Sequence, residues 1–380
     1  MRALFYLLFL LFALQAKAQT SATPKLLMTK QLQAQRTTST IKIDGLIDEE
    51  AWKAAVPATD FVEWRPTPGQ VEAQTNKTII YLLYDNTSVY IGGFCHERTR
   101  DSISKELVGR DVVGVNDFVG VIFDTYNDKI NGFGFYVTPM GEQFDAKYSI
   151  TAGEDGSWSA VWDSEARIHN NGWSFEMRIP YSALRFSNNE NQTWGLNITR
   201  RRNKTGQQYM WSAVDPKVNG FMNQSGKWTG IEKIQSPVRL SLSPYLSAYV
   251  NHYPENQKKW SSSINGGMDV KYGINESFTL DATLVPDFGQ VISDNVVNNL
   301  TPYEQYFQEN RPFFTEGTEL FNKADLFYSR RIGATPTDYG RVQSLAEYNP
   351  NYEIVKNPSV TQLYNAIKLP QISKIVQVGI

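Results

Sequence analysis

Phe118-Val-Gly-Val-Ile-Phe-Asp124 and Gly132-Phe-Gly-Phe-Tyr-Val-Thr138, parted by the turn signal Asn127-Asp128, decide the fold. Each is a short run of β-branched and aromatic residues, the composition of a pleated strand. The same texture extends outward in both directions. Upstream lie Thr78–Tyr84 and Val89–Phe94; downstream lie Phe144–Ser149, Ala160–His169, Trp173–Pro180, Trp194–Arg200 and Gln208–Ser212. Turn residues such as Asn170-Asn171-Gly172 and Asn188-Asn189 separate them. Many short strands at regular spacing predict an all-β, antiparallel sandwich. One short helix is predicted at Asp48–Ala55, with Asp48 as cap and Glu49 and Glu50 at its positive end.

Past Ser236 the pattern changes. Leu240, Leu242, Leu246, Ala248 and Val250 alternate with polar residues or tyrosines, as do Met268, Val270, Tyr272 and Ile274, and then Phe278, Leu280, Ala282 and Leu284. Two-faced strands of about ten residues suit a transmembrane barrel wall, and equally an ordinary sheet with one wet face. Asp287 to Gly340 loses the alternation and reads as a long ordered loop or plug-like segment.

Composition sets bounds. The 380 residues are 41% hydrophobic and 20% charged, which is globular, and the net charge of -2 with no basic block argues against a nucleic-acid partner. A single cysteine, Cys95, in an apolar strand pattern excludes an internal disulfide framework and reads as a buried, inert thiol. Arg2, the apolar run Ala3–Leu14 and Ala16-Lys17-Ala18 read as a secretory signal peptide over residues 1–18. A linker over 19–36, a sandwich over 37–235 and a second region over 236–380 complete the predicted organisation.

Two stretches carry resemblances. Ile41-Lys-Ile-Asp44-Gly45-Leu-Ile-Asp48-Glu49-Glu-Ala51-Trp52 is followed by Tyr84-Asp85-Asn86, Asn116-Asp117-Phe118, Trp173-Ser-Phe-Glu176-Met-Arg178-Ile179-Pro180, Trp194-Gly195-Leu196-Asn197, Trp211-Ser212 and Gly230-Ile231. Together these resemble carbohydrate-binding modules of family 9, which implies a β-sandwich over about 37–235. Sugar-binding members clamp the sugar between two Trp rings, one just before the position of Asp117, and use a Glu three residues after it. Here Val113-Gly114-Val115-Asn116 and Gly120 stand at those places, and the second ring falls near Phe221-Met222. Trp64, Phe221 and Trp228 are therefore the candidate ligand platform, since a ring can stack on an apolar sugar face.

The second resemblance covers about 236–369. Asp287-Phe288-Gly-Gln290-Val291, Phe307-Gln-Glu309-Asn-Arg311-Pro312-Phe313-Phe314-Thr-Glu316-Gly317 and Phe327-Tyr328-Ser329-Arg330-Arg331-Ile332-Gly333 are similar to domain of unknown function 5916. That resemblance implies the start of an outer-membrane barrel. Tyr364–Leu369 looks like a full barrel strand, and the departure from pattern over 370–380 predicts a truncated barrel. Glu309, Arg311, Glu316, Arg330 and Arg331 read as an ion-pair network or a binding site.

No HExxH, GxSxG, Walker or GxGxxG pattern stands in a suitable context. A glycosidase needs two carboxylates across a cleft, and pairs such as Glu142/Asp145 and Glu309/Glu316 exist. Asp124 and Asp128 flank a turn and are the candidate ligands of a structural Ca²⁺; no other cofactor is predicted. The leading expectation is an exported envelope protein whose partners are a glycan or similar ligand and the outer membrane, serving carbohydrate catabolism. The alternatives are an envelope assembly protein whose sandwich binds a protein partner, and a hydrolase of O-glycosyl bonds. A Trp platform with polar donors favours a glycan; an aromatic groove free of Glu favours a protein partner.

Overall fold

The computed structural model describes residues 29–150, 153–156, 158–218, 220–252, 260–275, 278–286, 309, 312–315, 327–333, 335–349, 351, 354 and 361–369. The signal-peptide segment 1–18, Arg311 and Glu316 lie outside the described residues, as does most of the segment read as a plug.

Strands are numbered in chain order. The first sheet runs β1 (Gln31–Gln33), β14 (Gly226–Glu232), β12 (Asn191–Arg202), β6 (Phe118–Asp124), β7 (Asn131–Val137), β8 (Gln143–Ser149), β9 (Gly153–Asp155). From the far end of β12 it branches to β13 (Gln207–Met210) and β3 (Val62–Arg65). The second sheet runs β10 (Asp163–His169), β11 (Gly172–Pro180), β5 (Ser88–His96), β4 (Thr78–Tyr84), β2 (Gln35–Arg36). All pairings are antiparallel except β1 with β14 and β2 with β4. Residues 31–36, expected as the end of a linker, thus supply one strand to each sheet. Leu32 and Ala34 are buried in the common core, which an isolated linker pattern does not reveal.

Alternation decides which side chains meet between the sheets. Val119, Val121 and Phe123 of β6, Phe133, Phe135 and Val137 of β7, and Trp194, Leu196 and Ile198 of β12 point inward against Ile80, Leu82, Ile91, Phe175 and Met177. Phe123, Trp194 and Trp228 form an aromatic knot with centroids 5.7–5.9 Å apart, each such pair contributing about 0.5–1.5 kcal/mol beyond area burial. Cys95 is fully buried, and burial pushes its thiol up to about 12, so it is inert as expected.

Polar anchors fix the rim of this core. Arg200 donates to Asn76 O (2.7 Å), Thr78 Oγ1 (2.9 Å), His96 O (2.7 Å) and Glu97 Oε1 (2.8 Å). Arg202 Nη2 donates to Glu97 Oε2 at 2.8 Å, so one buried carboxylate holds two guanidinium groups and ties β12 to the end of β5. Glu176 does the same for the chain's beginning. Its Oε2 accepts from Asp44 N (2.9 Å) and Gly45 N (3.0 Å), and its Oε1 from Trp52 Nε1 (3.2 Å). Gly45 sits at φ +81°, where a side chain would also meet Arg167. The helix α1 is only Glu50–Lys53. Its N-cap is Glu49, not Asp48, and the Glu49 carboxylate is spent on Lys42 N and Trp52 Nε1.

The third sheet runs β15 (Arg239–His252), β16 (Trp260–Gly273), β17 (Thr279–Leu284), β18 (Asn365–Lys368), antiparallel throughout. Its register puts Leu242, Val270, Ala282 and Ile367 in one row and Ser241, Lys271, Asp281 and Lys368 in the next, on the opposite face. The apolar face is open: Leu246 is 78% exposed, Ile264 74% and Val250 71%. The polar face carries a covered ion pair, Lys368 Nζ to Asp281 Oδ2 at 3.0 Å, with the ammonium 4.4 Å from the Phe313 ring in α2 (Pro312–Thr315). Another helix, α3, spans Tyr339–Tyr348. No described helix is long and apolar enough to cross a membrane.

Candidate functional site

The outward residues of the first sheet build a groove of about 500 Å³. The inward parity of Val119, Val121 and Phe123 sends Phe118, Gly120 and Ile122 outward. In β7 the outward set is Gly132, Gly134 and Tyr136; in β8 it is Phe144, Ala146 and Tyr148.

Glycines form its floor and aromatic rings lie directly upon them. A Cβ on Gly120 would sit 2.1 Å from Tyr136 Cδ1, and one on Gly134 would sit 2.7 Å from Tyr148 Cε2. A Cβ on Gly132 would meet Met222 Cε at 2.7 Å. The resemblance marked Gly120 as a lost acceptor; the structure gives it a positive role, since only glycine lets the Tyr136 ring settle against the sheet. Phe118 meets Tyr136 edge-on at 5.6 Å, Phe144 lies 5.3 Å from Tyr136, and Phe221 lies 5.3 Å from Tyr148. Phe221 is delivered by a short 3-10 turn, Phe221–Gln224, entered through Gly220 at φ +82°. The two tyrosine hydroxyls bond each other, and Tyr148 donates on to Glu154. Burial raises both phenols well above their ordinary range, so both stay protonated.

Polar groups stand at the ends. At the β3 end a register shift between Gln208 and Tyr209 sets Trp64 and Arg65 together at the groove's edge. Arg65 Nε donates to Gln208 Oε1 (2.9 Å), and its guanidinium lies 4.3 Å from the Trp64 ring. Gln208 Nε2 donates to Thr199 Oγ1 at 2.8 Å, and Arg201 Nη2 to Asn203 Oδ1 at 2.7 Å. At the β9 end stands Glu154. The whole is an aromatic trough with donors at one end and an acceptor at the other.

Of the platform residues read from the sequence, the structure brings Trp64 and Phe221 to this groove and leaves Trp228 out. Trp228 is 0% exposed and packs in the inter-sheet core, because its register partner Trp194 fixes it on the inner face. It offers no surface for stacking. Asp124 and Asp128 are likewise corrected. Asp124 accepts from Asp128 N (3.2 Å) and Lys129 N (2.7 Å), and Asp128 from Ile130 N (2.8 Å), so both carboxylates cap the β6–β7 turn. Burial pushes Asp124 up to about 6. No group of three or more His, Cys, Asp or Glu that could hold a metal occurs among the described residues.

Of the carboxylates considered for glycoside cleavage, the described Glu142, Asp145 and Glu309 do not line the groove. Asp145 is fully buried and accepts from Ala160 N (2.8 Å), Trp162 Nε1 (3.0 Å) and Arg110 Nη2 (2.6 Å). Glu142 accepts from the Thr138 hydroxyl on the β7–β8 turn. Glu309 accepts from Ser329 Oγ at 2.6 Å, and its proposed partner Glu316 lies outside the described residues. The groove residues that sequence reasoning missed are Phe118, Tyr136, Phe144, Tyr148, Arg65 and Arg201. For all but Arg65 the signal was parity; Arg65 sits at the register shift beside Trp64, which also lines the groove.

Residues 236–374 match the family described as Domain of unknown function (DUF5916). Solved structures align with about half of the chain. A carbohydrate binding module family 9 from Caldicellulosiruptor kristjanssonii in complex with cellotriose is 13% identical, with a TM-score of 0.38, over 53% of this chain and 93% of that one. The same module with glucose is 13% identical at 0.38, over 55% and 100%. A protein from Bacteroides uniformis ATCC 8492 is 11% identical at 0.42, over 53% and 99%. No curated protein sequence matches the chain.

Proposed function

We propose that this chain is a saccharide-binding protein of the cell envelope, taking its ligand in the groove on the outer face of the first sheet. The observation that carries the reading is the glycine-floored trough itself. Trp64, Phe144 and Phe221 offer half-buried ring surface over the buried Tyr136 and Tyr148, and Arg65, Arg201, Gln208 and Glu154 offer donors and an acceptor around it. That combination suits a pyranose, which has apolar faces and a polar perimeter. A protein-partner groove would be poorer in polar ends and free of Glu; Glu154 and the two arginines weigh against it.

The envelope part of the proposal rests on the third sheet. Its open apolar face and its polar face with a covered Lys368–Asp281 pair are the two sides a barrel wall needs, lipid outside and polar interior within. Together with the signal peptide read from the sequence, this favours an outer-membrane protein that captures or hands on glycans for carbohydrate catabolism.

A glycan screen on the full chain tests the binding claim, beginning with cellotriose and extending to xylan-, mannan- and galactan-derived oligosaccharides. Binding is expected, and Trp64→Ala and Phe221→Ala are each expected to weaken it about tenfold, the loss of one stacked ring. Binding indifferent to both substitutions would sink the site. Fractionation of the native host is expected to place the chain in the outer membrane; recovery in the soluble periplasm would sink the barrel reading.

A further inference from the structure

The β3 end of the groove contains a charge arrangement that a neutral sugar does not require. Phe118 is the register partner of Arg201, Arg201 of Gln208, and Gln208 of Arg65. These four residues form one row across β6, β12, β13 and β3. The two arginines therefore flank a buried amide, with Cα atoms roughly 10 Å apart over two strand spacings.

Both guanidinium groups are held by neutral groups. Arg65 leans on the Trp64 ring and bonds Gln208; Arg201 faces the Phe118 ring at 5.9 Å and bonds Asn203. Neither forms an ion pair among the described residues. Four other arginines of the sandwich, Arg110, Arg178, Arg200 and Arg202, each face a carboxylate, Asp145, Asp163 or Glu97, whereas Arg36 and Arg167, away from the groove, bond neutral oxygens. A guanidinium has five N–H donors in a planar fork, and each of these two spends one on its amide oxygen. The free edges match the oxygens of a carboxylate or sulfate. The acidic group that lines the groove, Glu154, stands on β9, four strand spacings from Arg201 and six from Arg65, roughly 19 Å and 29 Å along the sheet, and already accepts from Tyr148. It does not neutralise the arginine end.

We infer that the saccharide bound here is anionic, a sugar carrying a carboxylate or a sulfate ester, and that its charged group sits between Arg201 and Arg65. This rests on the saccharide reading above and adds the ligand's charge and its direction in the groove. Gln208 and Thr199 act as positioning residues, since their hydrogen-bond chain fixes Arg65.

Isothermal titration of the full chain with galactotriose, trigalacturonate and a sulfated galactose trisaccharide tests the inference and separates the two anions. At low salt at least one anionic ligand is expected to bind on the order of tenfold more tightly than galactotriose, with the advantage shrinking as salt rises. Arg201→Gln and Arg65→Gln are each expected to lose about tenfold more affinity for the anionic ligand than for the neutral one. Equal affinity for neutral and charged ligands, both lost in Trp64→Ala, would overturn the charge inference and leave the saccharide reading standing. Absence of binding by all three trisaccharides and by the wider glycan panel would overturn both. If either glutamine variant fails to fold, the salt titration of the unaltered chain decides: a preference for the anion that is insensitive to salt refutes it.

Discussion

Gly120→Ala probes the groove at its floor. The new Cβ would lie 2.1 Å from two ring carbons of Tyr136. Carbon atoms rest comfortably at about 3.5–4.0 Å, so the ring must withdraw by at least about 1.4 Å. Sideways movement is blocked, and withdrawal outward into the groove forfeits its packing on the sheet. Phe118 and Phe144 stand on either side, and the hydroxyl is tied to Tyr148. Overpacking of this kind costs about 1–3 kcal/mol, and stranding a buried hydroxyl adds about 1–3 kcal/mol. A loss of about 2–5 kcal/mol is therefore expected, against an intrinsic gain of about 0.5–1 kcal/mol for replacing glycine in a strand. Urea unfolding of the full chain followed by tryptophan fluorescence measures it. The Tyr136→Ala background supplies the control, because with the ring gone the added methyl has room and its penalty should vanish. A Gly120→Ala protein as stable as the parent, or a penalty that persists without the Tyr136 ring, would refute the stacked-floor geometry.

Other expectations concern the anchors. Glu97→Ala leaves Arg200 and Arg202 without their shared carboxylate and should cost about 3–5 kcal/mol in the same unfolding experiment; a loss under 1 kcal/mol, well short of that range, would show the cluster to be loosely held. Burial, with Glu49 nearby, pushes Glu176 up to about 7 from 4.5, against the pull of its N–H donors. The native state then holds this proton more tightly than the unfolded chain, so its stabilisation is full below pH 4.5 and is lost as pH rises through about 7. Glu176→Gln should flatten that part of the stability profile, and an unchanged slope between parent and variant would contradict the assignment. Trp228→Phe should reduce stability by a few kcal/mol, a large-to-smaller core change, without altering ligand affinity, the reverse of Trp64→Ala; a change in affinity at unchanged stability would return Trp228 to the site.

Most of the fold was legible because alternation is a local signal. The runs at Phe118–Asp124 and Trp194–Arg200 become β6 and β12 with small changes at their ends. The three amphipathic runs past Ser236 become β15, β16 and β17. What the sequence concealed depends on pairing between distant residues. β1 is paired with β14, nearly two hundred residues later, so nothing local marks residues 31–36 as strands. Trp228 and Trp64 look alike as isolated tryptophans; one is fixed inward by its partner Trp194, the other is brought to the groove by a register shift against β13. The groove aromatics were hidden for the same reason. Tyr136 and Gly120 are sixteen positions apart and become neighbours only when β6 pairs with β7. The Arg201–Gln208–Arg65 row exists only once three strands are in register.

The central claim is that the outer face of the first sheet holds the ligand. A crystal structure of the full chain with its best-binding oligosaccharide tests it most directly. A sugar ring packed on Trp64, Phe144 or Phe221, with its polar edge turned toward Arg201 and Arg65, is the expected result. A sugar seated elsewhere, for example between Ala160 and Arg239 where the sandwich meets the third sheet, would contradict the account.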